Sequence, residues 1–304
     1  MNTKFLITAD SNRSALLKKK IIHYYIANGD ATIAELCKEM DLSIPTVTKL
    51  VGELLDDGYI LDFGKQETNG GRKPNIYGLN PVSGYFVGVD VFRSKINIAA
   101  VDFKGDKLRV EENIPYSLEN TPEALEMLCN LINDFIDRLS VPREKVLAVG
   151  VNISGRVNPV SGYSYSIFYF EEKPLSQILE ERINIKIYIE NDTRAMMYGE
   201  YMQGVVKGEK NILFINMGWG LGLSIFINGE LYYGKSGFSG EFGHFCFFDN
   251  EILCHCGKKG CIETEASGSA LHRKLLERYR EGSSTILAEK IEKKEKIKMA
   301  DMIE

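Results

Sequence analysis

Apolar and polar positions repeat along this chain with two different periods, and the change from one to the other falls near residue 80. Before it the spacing is helical. Leu16 to Asn28 carries apolar residues at 16, 17, 21, 22 and 26 with lysines between, which predicts a helix stopped by Gly29. Thr32 heads a second short helix, IAELCKEM, with Glu35 three positions on as the far half of a capping box. Asp41-Leu42-Ser43 breaks it. A third helix is expected from Ser43, with Pro45 in its first turn, Val47, Leu50, Val51, Leu54 and Leu55 on one face, and Gly58 at its end. The strand Tyr-Ile-Leu-Asp-Phe, the loop GKQETNGGRKP and the strand Asn-Ile-Tyr-Gly-Leu-Asn follow.

From Tyr85 the period shortens to that of strands. FVGVDVF, INIAAVDF and LRVEENI, joined by short turns such as Lys104-Gly105-Asp106, predict an antiparallel three-stranded meander. Next come a helix from Pro122 to Arg138, the strand VLAVGVNI, a helix from Pro174 to Arg182, the strand IKIYIEN and a helix from Thr193 to about Gly204. Strands return as NILFINM and LGLSIFING. The order is that of an α/β protein with a mixed sheet. No G-x-G-x-x-G follows the first strand, which argues against a dinucleotide-binding Rossmann domain.

Two helices joined by a tight break, then a glycine-rich hairpin, have the layout of a winged helix-turn-helix. Ser43, Thr46, Thr48 and Lys49 lie beside or away from the apolar stripe of the third helix, where they could reach base edges and phosphates in a major groove. Arg72 and Lys73 sit at the wing tip, suited to the minor groove or the backbone. Through residue 80 the charges balance, ten basic against ten acidic, so any basic face must come from the placement of Lys18 to Lys20, Lys49 and Arg72-Lys73. A small helical domain for protein contacts is the competing reading.

Composition narrows the class. A chain of 304 residues with 44% hydrophobic and 26% charged content has the make-up of an ordinary globular protein, long enough for two domains or a divided one. No apolar run approaches a bilayer span and the first residues lack the apolar centre of a signal peptide, so a cytoplasmic protein with no membrane partner is expected. The net charge of −5 excludes a surface basic all over. Of six cysteines, Cys37 and Cys129 stand alone in helical stretches as expected core residues, whereas Cys246, Cys254, Cys256 and Cys261 are clustered. His244 with Cys254, Cys256 and Cys261 supplies the four ligands of a closed zinc site, which leaves no open position for an activated water and makes the metal structural. Cys246 and His255 are spare candidates.

The GEFGH segment ending in His244, the cysteine pattern, the CIETEAS that follows, and the N-terminal helices with their GGRKP wing resemble the ROK family (repressors, open reading frames, kinases), in its repressor branch. The resemblance covers nearly the whole chain. It implies a winged helix over residues 1–80 and, over 81–304, an actin-like, hexokinase-like domain of two ribonuclease-H-type lobes, about 84–190 and 191–304. It also implies a homodimer or homotetramer with a sugar or sugar phosphate in the cleft. Residue by residue, Gly155, Asn191, Asp192, Glu241, His244 and Glu263 match the family's sugar contacts, with Ser154 and Asn158 in place of its usual Pro and Asp. His244 would then hold zinc through one ring nitrogen and offer the other to a sugar hydroxyl. Asp192 and Glu263 could also cap the helices that follow them.

The kinase members use the counterpart of Asp192 as general base, and their glycine-rich loops admit ATP phosphates to the backbone. This chain departs there. Where the kinases show Asp-x-Gly-Gly-Thr it reads Asp90-Val91-Phe92-Arg93-Ser94, and Trp219 stands where the second loop carries Thr. It also ends at Glu304 with nothing like the family's adenosine-binding strand, so the usual C-terminal part is expected to be lacking. The expected function is a sugar-responsive DNA-binding regulator of carbohydrate metabolism genes, in most cases a repressor, with no catalytic residue. A ROK-type sugar kinase with an appended DNA-binding domain, Asp192 its base, is the alternative, and a protein-interaction scaffold the third.

Overall fold

The computed structural model describes residues 12–65 and 74–303, in two compact units. One comprises Met1–Ile153 with Ser161–Ile189, the other Ser154–Val160 with Glu190–Glu304.

The first unit opens with three helices, α1 (Arg13–Asn28), α2 (Ile33–Met40) and α3 (Ile44–Asp56). Each boundary has a local cause. The Thr32 hydroxyl accepts from the Glu35 amide while the Glu35 carboxylate accepts from the Thr32 amide, the reciprocal capping box expected there. Asp41 closes α2 in the left-handed region, φ 52°, and Pro45 stands in the first turn of α3. Val47, Leu50, Val51 and Leu54 are buried against Ile21, Ile22 and Tyr25 of α1 and Leu36 of α2. Strand β1 (Ala31–Thr32) joins β3 (Asn75–Leu79), which pairs antiparallel with β2 (Ile60–Lys65), completing the wing's sheet.

That module is not separately cored. Asn80 to Gly84 is a short turn, its first amide donating to the Tyr59 carbonyl and its Asn80 Nδ2 to Gly58. Tyr59 lies tilted against Phe103 with ring centroids 5.5 Å apart, and Phe103 stacks on Phe86 at 6.1 Å. With Leu147 these rings extend the winged-helix core into the sheet that follows.

That sheet is built from β4 (Tyr85–Phe92), β5 (Lys95–Asp102), β6 (Lys107–Pro115), β7 (Val146–Ile153) and β8 (Ile187–Asn191), ordered β8-β7-β4-β5-β6. β4, β5 and β6 form the antiparallel meander, and β7 runs parallel to β4. This is the ribonuclease-H-type arrangement. Val87, Val89 and Val91 alternate inward along β4, and charged β6 is a sheet edge with its residues mostly exposed. Helices α4 (Pro122–Asp137) and α5 (Leu175–Ile183) pack together, burying Leu128, Ile132, Phe135, Ile178 and Leu179. Cys129 is buried as expected; Cys37 is only partly so.

In the second unit α6 (Asp192–Gln203) packs on a meander of β9 (Ile212–Met217), β10 (Leu221–Ile227) and β11 (Glu230–Leu231). Tyr201 lies against Phe226 with ring centroids 4.5 Å apart. A cysteine-bearing loop follows, then α7 (Gly268–Arg280) and the short helices α8 (Ala288–Glu292) and α9 (Met299–Ile303).

Candidate functional site

Three groups of side chains carry the chemistry expected from the sequence. The first is the cysteine loop. His244 ends a single 3-10 turn, Glu241–His244, entered through Gly240 at φ 86°, where a Cβ would lie 1.9 Å from the Leu223 carbonyl oxygen. Two short β-bridges, Cys246 with Cys261 and Leu253 with Lys259, fold the loop back on itself. Gly260, at φ 71° and pressed on the Phe248 carbonyl, makes the return turn. The result gathers His244, Cys254, Cys256 and Cys261, their ligand atoms all within 4.8 Å of one another.

The spacing fits a tetrahedral ion. Zinc–sulfur bonds of about 2.3 Å and zinc–nitrogen bonds of about 2.0 Å at tetrahedral angles put sulfurs about 3.8 Å apart and sulfur about 3.5 Å from nitrogen. Cys256 Sγ lies 3.7 Å from Cys261 Sγ, and Cys254 Sγ lies 3.5 Å from His244 Nδ1. Burial pushes the Cys261 thiol up to about 12 and the Cys254 thiol up as well, so a bound cation would supply the charge that ionises them. Burial also lowers the pKa of His244, which favours the neutral imidazole a metal requires. A second set, His244, Cys254, His255 and Glu263, lies equally close together, but His255 Nε2 is 2.9 Å from Glu263 Oε1 and its side chain is largely exposed. The three-cysteine set is the softer and better suited to zinc. Cys246 is exposed and belongs to neither set.

The second group is a polar cluster at the start of α6. Asn191 Oδ1 accepts from the Arg194 amide and caps the helix, while its Nδ2 donates to the Gly155 carbonyl and to Asp192 Oδ1, each at 3.0 Å. The cap is therefore Asn191, not Asp192; Asp192 instead accepts from the Thr193 amide at 2.7 Å. Burial lifts the Asp192 carboxyl above its ordinary range, against the hydrogen bonds from Thr193 and Asn191 that pull it down. Glu263 does not cap α7 either, since Ser267 does so by accepting from the Ala270 amide. The Glu263 Oε2 accepts from the Leu221 amide at 2.8 Å and so pins the turn that leads into β10. Glu241 is exposed, its Oε2 3.9 Å from His244 Nε2, the ring nitrogen turned away from the thiols. All six residues matched to sugar contacts thus lie in the second unit.

Behind them is a residue that the sequence reading passed over. Arg194, 3% exposed, donates Nε to Glu190 Oε1 at 2.6 Å, Nη1 to the Gly237 carbonyl and Nη2 to the Val157 carbonyl. Tyr233 donates to the other Glu190 oxygen and lies under the guanidinium, 5.3 Å from ring centroid to carbon. Glu190 lies at the end of β8 and Arg194 in the first turn of α6, so the pair spans a strand-to-helix junction, for which the sequence carries no periodic signal.

The third group is on the winged helix. Ser43, Thr46, Thr48 and Lys49 are all exposed, with Lys49 77% so along its side chain. Lys18 meets Lys49 at one carboxylate, its ammonium 2.8 Å from Glu53 where that of Lys49 is 3.9 Å away, and with Asp57 at 3.6 Å it braces α1 on α3. Arg72 and Lys73 lie outside the described residues.

The Phe92-Arg93 and Gly218-Trp219 loops are held by local contacts. Phe92 and Lys95 pair across a two-residue turn of Arg93 and Ser94, and the Lys95 ammonium sits over the Phe92 ring at 5.1 Å. In the second loop the Gly218 and Trp219 carbonyls accept from the Gly268 and Ser269 amides at the start of α7. Trp219 rests against His272, ring centroids 5.4 Å apart.

Comparison with known proteins places these features. Residues 16–60 match a winged helix-turn-helix DNA-binding family. The chain is 29% identical over 260 residues to the xylose repressor of Bacillus subtilis (strain 168), covering 85% of this chain and 67% of that protein. A solved ROK family transcriptional regulator, a homolog of the E. coli MLC protein, superposes with a TM-score of 0.74 at 24% identity, over 94% of this chain and 72% of that one. A ROK family glucokinase from Streptomyces griseus, solved with glucose and AMPPNP, gives 0.57 at 30% identity, over 66% of this chain and 62% of that one. This chain therefore spans about two thirds of the length of its relatives. No helix among the described residues is long and apolar enough to cross a membrane. Residues 86–304 match the ROK family, more than two thirds of the sequence, and the chain belongs to it.

Proposed function

We propose that this chain is a sugar-responsive, DNA-binding transcriptional repressor of carbohydrate metabolism genes, acting in the cytoplasm as a homodimer or homotetramer, with a structural zinc. The observation that carries the reading is the conjunction, in one ROK chain, of a winged helix whose third helix exposes Ser43, Thr46, Thr48 and Lys49 and a second unit that holds Asn191, Asp192, Glu241, His244 and Glu263, the residues matched to sugar contacts. The likeness to a protein named xylose repressor supports it. In this reading Lys49, Arg72 and Lys73 meet phosphates or bases of a double-stranded operator. Carboxylates and an amide grip adjacent hydroxyls of a sugar or sugar phosphate, with Asp192 as acceptor and Gly155 leaving its backbone open. Zinc on His244, Cys254, Cys256 and Cys261 fixes the loop that carries Glu241 and Glu263.

Phosphoryl transfer depends on close backbone approach to phosphate, and the Phe92-Arg93 hairpin and Trp219 weigh against it. So does the use of the first α7 amides on loop carbonyls. The test begins with a thermal-shift screen against a sugar panel to find the effector. Operator affinity is then read by fluorescence anisotropy with and without it, at fixed salt. Asp192→Ala should keep DNA binding and lose the response to sugar; Arg72→Ala should weaken DNA binding and keep sugar binding. Operator affinity that is identical with and without a bound sugar, or ATP turnover above a no-enzyme control, would overturn the reading.

A further inference from the structure

The third helix α3 is short of the side chains that usually read bases. Its sequence, IPTVTKLVGELLD, holds no Arg, Asn or Gln, and Lys49 is its one side chain of the kinds that grip guanine or adenine edges in two-point fashion. Its first two residues are apolar. Ile44 is 64% exposed although it is a large β-branched residue at the N-terminal end of the helix, and Pro45 beside it is exposed too. The two hydroxyls at this end are engaged with each other, Ser43 Oγ lying 2.8 Å from Thr46 Oγ1, and Ser43 makes no side-chain cap on the helix. Lys49, one turn on, is tied loosely at 3.9 Å to Glu53.

The first residues of a recognition helix are those brought to base edges in the major groove. A groove floor presents donors and acceptors almost everywhere, and its one apolar feature is the thymine 5-methyl group. An exposed isoleucine there would leave those polar edges dehydrated and unpaired opposite G·C, but gains apolar contact against thymine. We infer that Ile44 reads a thymine methyl, so that each operator half-site carries an A·T pair opposite the start of α3. This rests on the DNA-binding reading above and adds to it the base that the helix selects.

The experiment uses the full chain and an operator selected by it from random duplexes. Each thymine is replaced in turn by deoxyuridine, which removes the methyl and keeps base pairing, and Kd is measured at fixed salt. One thymine per half-site should cost about fourfold in affinity when replaced, the value of one buried methyl group. Ile44→Ala should lose a similar factor on the thymine operator and then be indifferent to the same replacement. If every replacement is neutral for the unmodified protein, or Ile44→Ala shows the same penalty as the parent, the inference is overturned while DNA binding stands. If selection yields no duplex bound above background, the DNA-binding reading falls and the inference with it.

Discussion

Arg194 shows what a single residue can do that its place in the sequence does not announce. Its guanidinium joins three stretches of chain that are far apart in sequence, at Val157, Glu190 and Gly237, and so sets the position of the Gly155 loop relative to Asn191 and Asp192. The segment Glu-Asn-Asp-Thr-Arg was legible as a site because of its Asn-Asp pair, but Glu190 lies at the end of a strand and Arg194 in the first turn of a helix, so no helical spacing announced their pairing. Nor could burial be read, because it depends on Tyr233 and Gly237 arriving from some forty residues away. The same limit explains the caps. Whether Asn191 or Asp192 closes α6 turns on one residue of register, and sequence alone gave Asp192. Removing one partner of a buried ion pair commonly costs about 3 to 5 kcal/mol, since the other charge is left without compensation. Arg194→Met should therefore lower the unfolding free energy by an amount in that range, read from the urea midpoint at unchanged m-value. A loss below about 1 kcal/mol, the scale of an exposed pair, would show that the network is not holding the site.

At the scale of elements the cysteine loop, without the proposed zinc, has little regular structure to hold it. Between Phe245 and Gly260 it forms no helix or strand beyond two isolated bridges, and Phe245, Phe247 and Leu253 are each more than 60% exposed. A segment with so little buried apolar surface is ordered chiefly by what its thiols hold. Removing the metal, or replacing Cys261 by Ser, should release the amides of Phe247, Cys254 and Ile262 to fast hydrogen exchange while β4 and β7 stay protected. Metal analysis of protein purified without chelator is the accompanying measurement, and less than about a tenth of an equivalent of zinc would refute the assignment. This loop was readable from sequence because ligand identity and spacing carry the information locally. The helix-turn-helix was readable for the same reason, through the Thr32–Glu35 box and the stripe of Val47, Leu50, Val51 and Leu54. That the acid Glu53 stands between Lys18 and Lys49, with Asp57 beside Lys18, was not. A lysine between apolar positions in a helix looks equally free on any side, and only the approach of α3 turns Lys18 toward Glu53 and Asp57.

For the whole molecule, the division into two units separates the two proposed functions. The recognition helix α3 is in the first unit and every residue matched to a sugar contact is in the second, with the chain passing between them after Ile153, Val160 and Ile189. The turn from Asn80 to Gly84 could be read as a short linker, but composition could not show that Tyr59, Phe86, Phe103 and Leu147 make the winged helix part of the first unit's core. With Phe103 only 4% exposed, stacked on Phe86 and tilted against Tyr59, the winged helix shares the first unit's core. In the proposed reading the response to sugar reaches DNA through this shared core, and the usual size of such a coupling is about 5- to 150-fold in affinity. Loosening the joint should reduce the coupling without touching either site. Phe103→Ala leaves Val47, Leu50, Val51 and Leu54 to hold the winged helix together, and is expected to bind sugar as the parent does and to keep operator binding, yet to show a response to sugar reduced toward onefold. Phe103→Leu, which leaves a smaller cavity, should fall between the two and guards against loss of folding in the alanine variant. Anisotropy with and without saturating sugar gives the coupling, and calorimetry the sugar affinity. A full response in both variants, with circular dichroism confirming that they fold, would show that the signal reaches DNA by a route other than this aromatic joint.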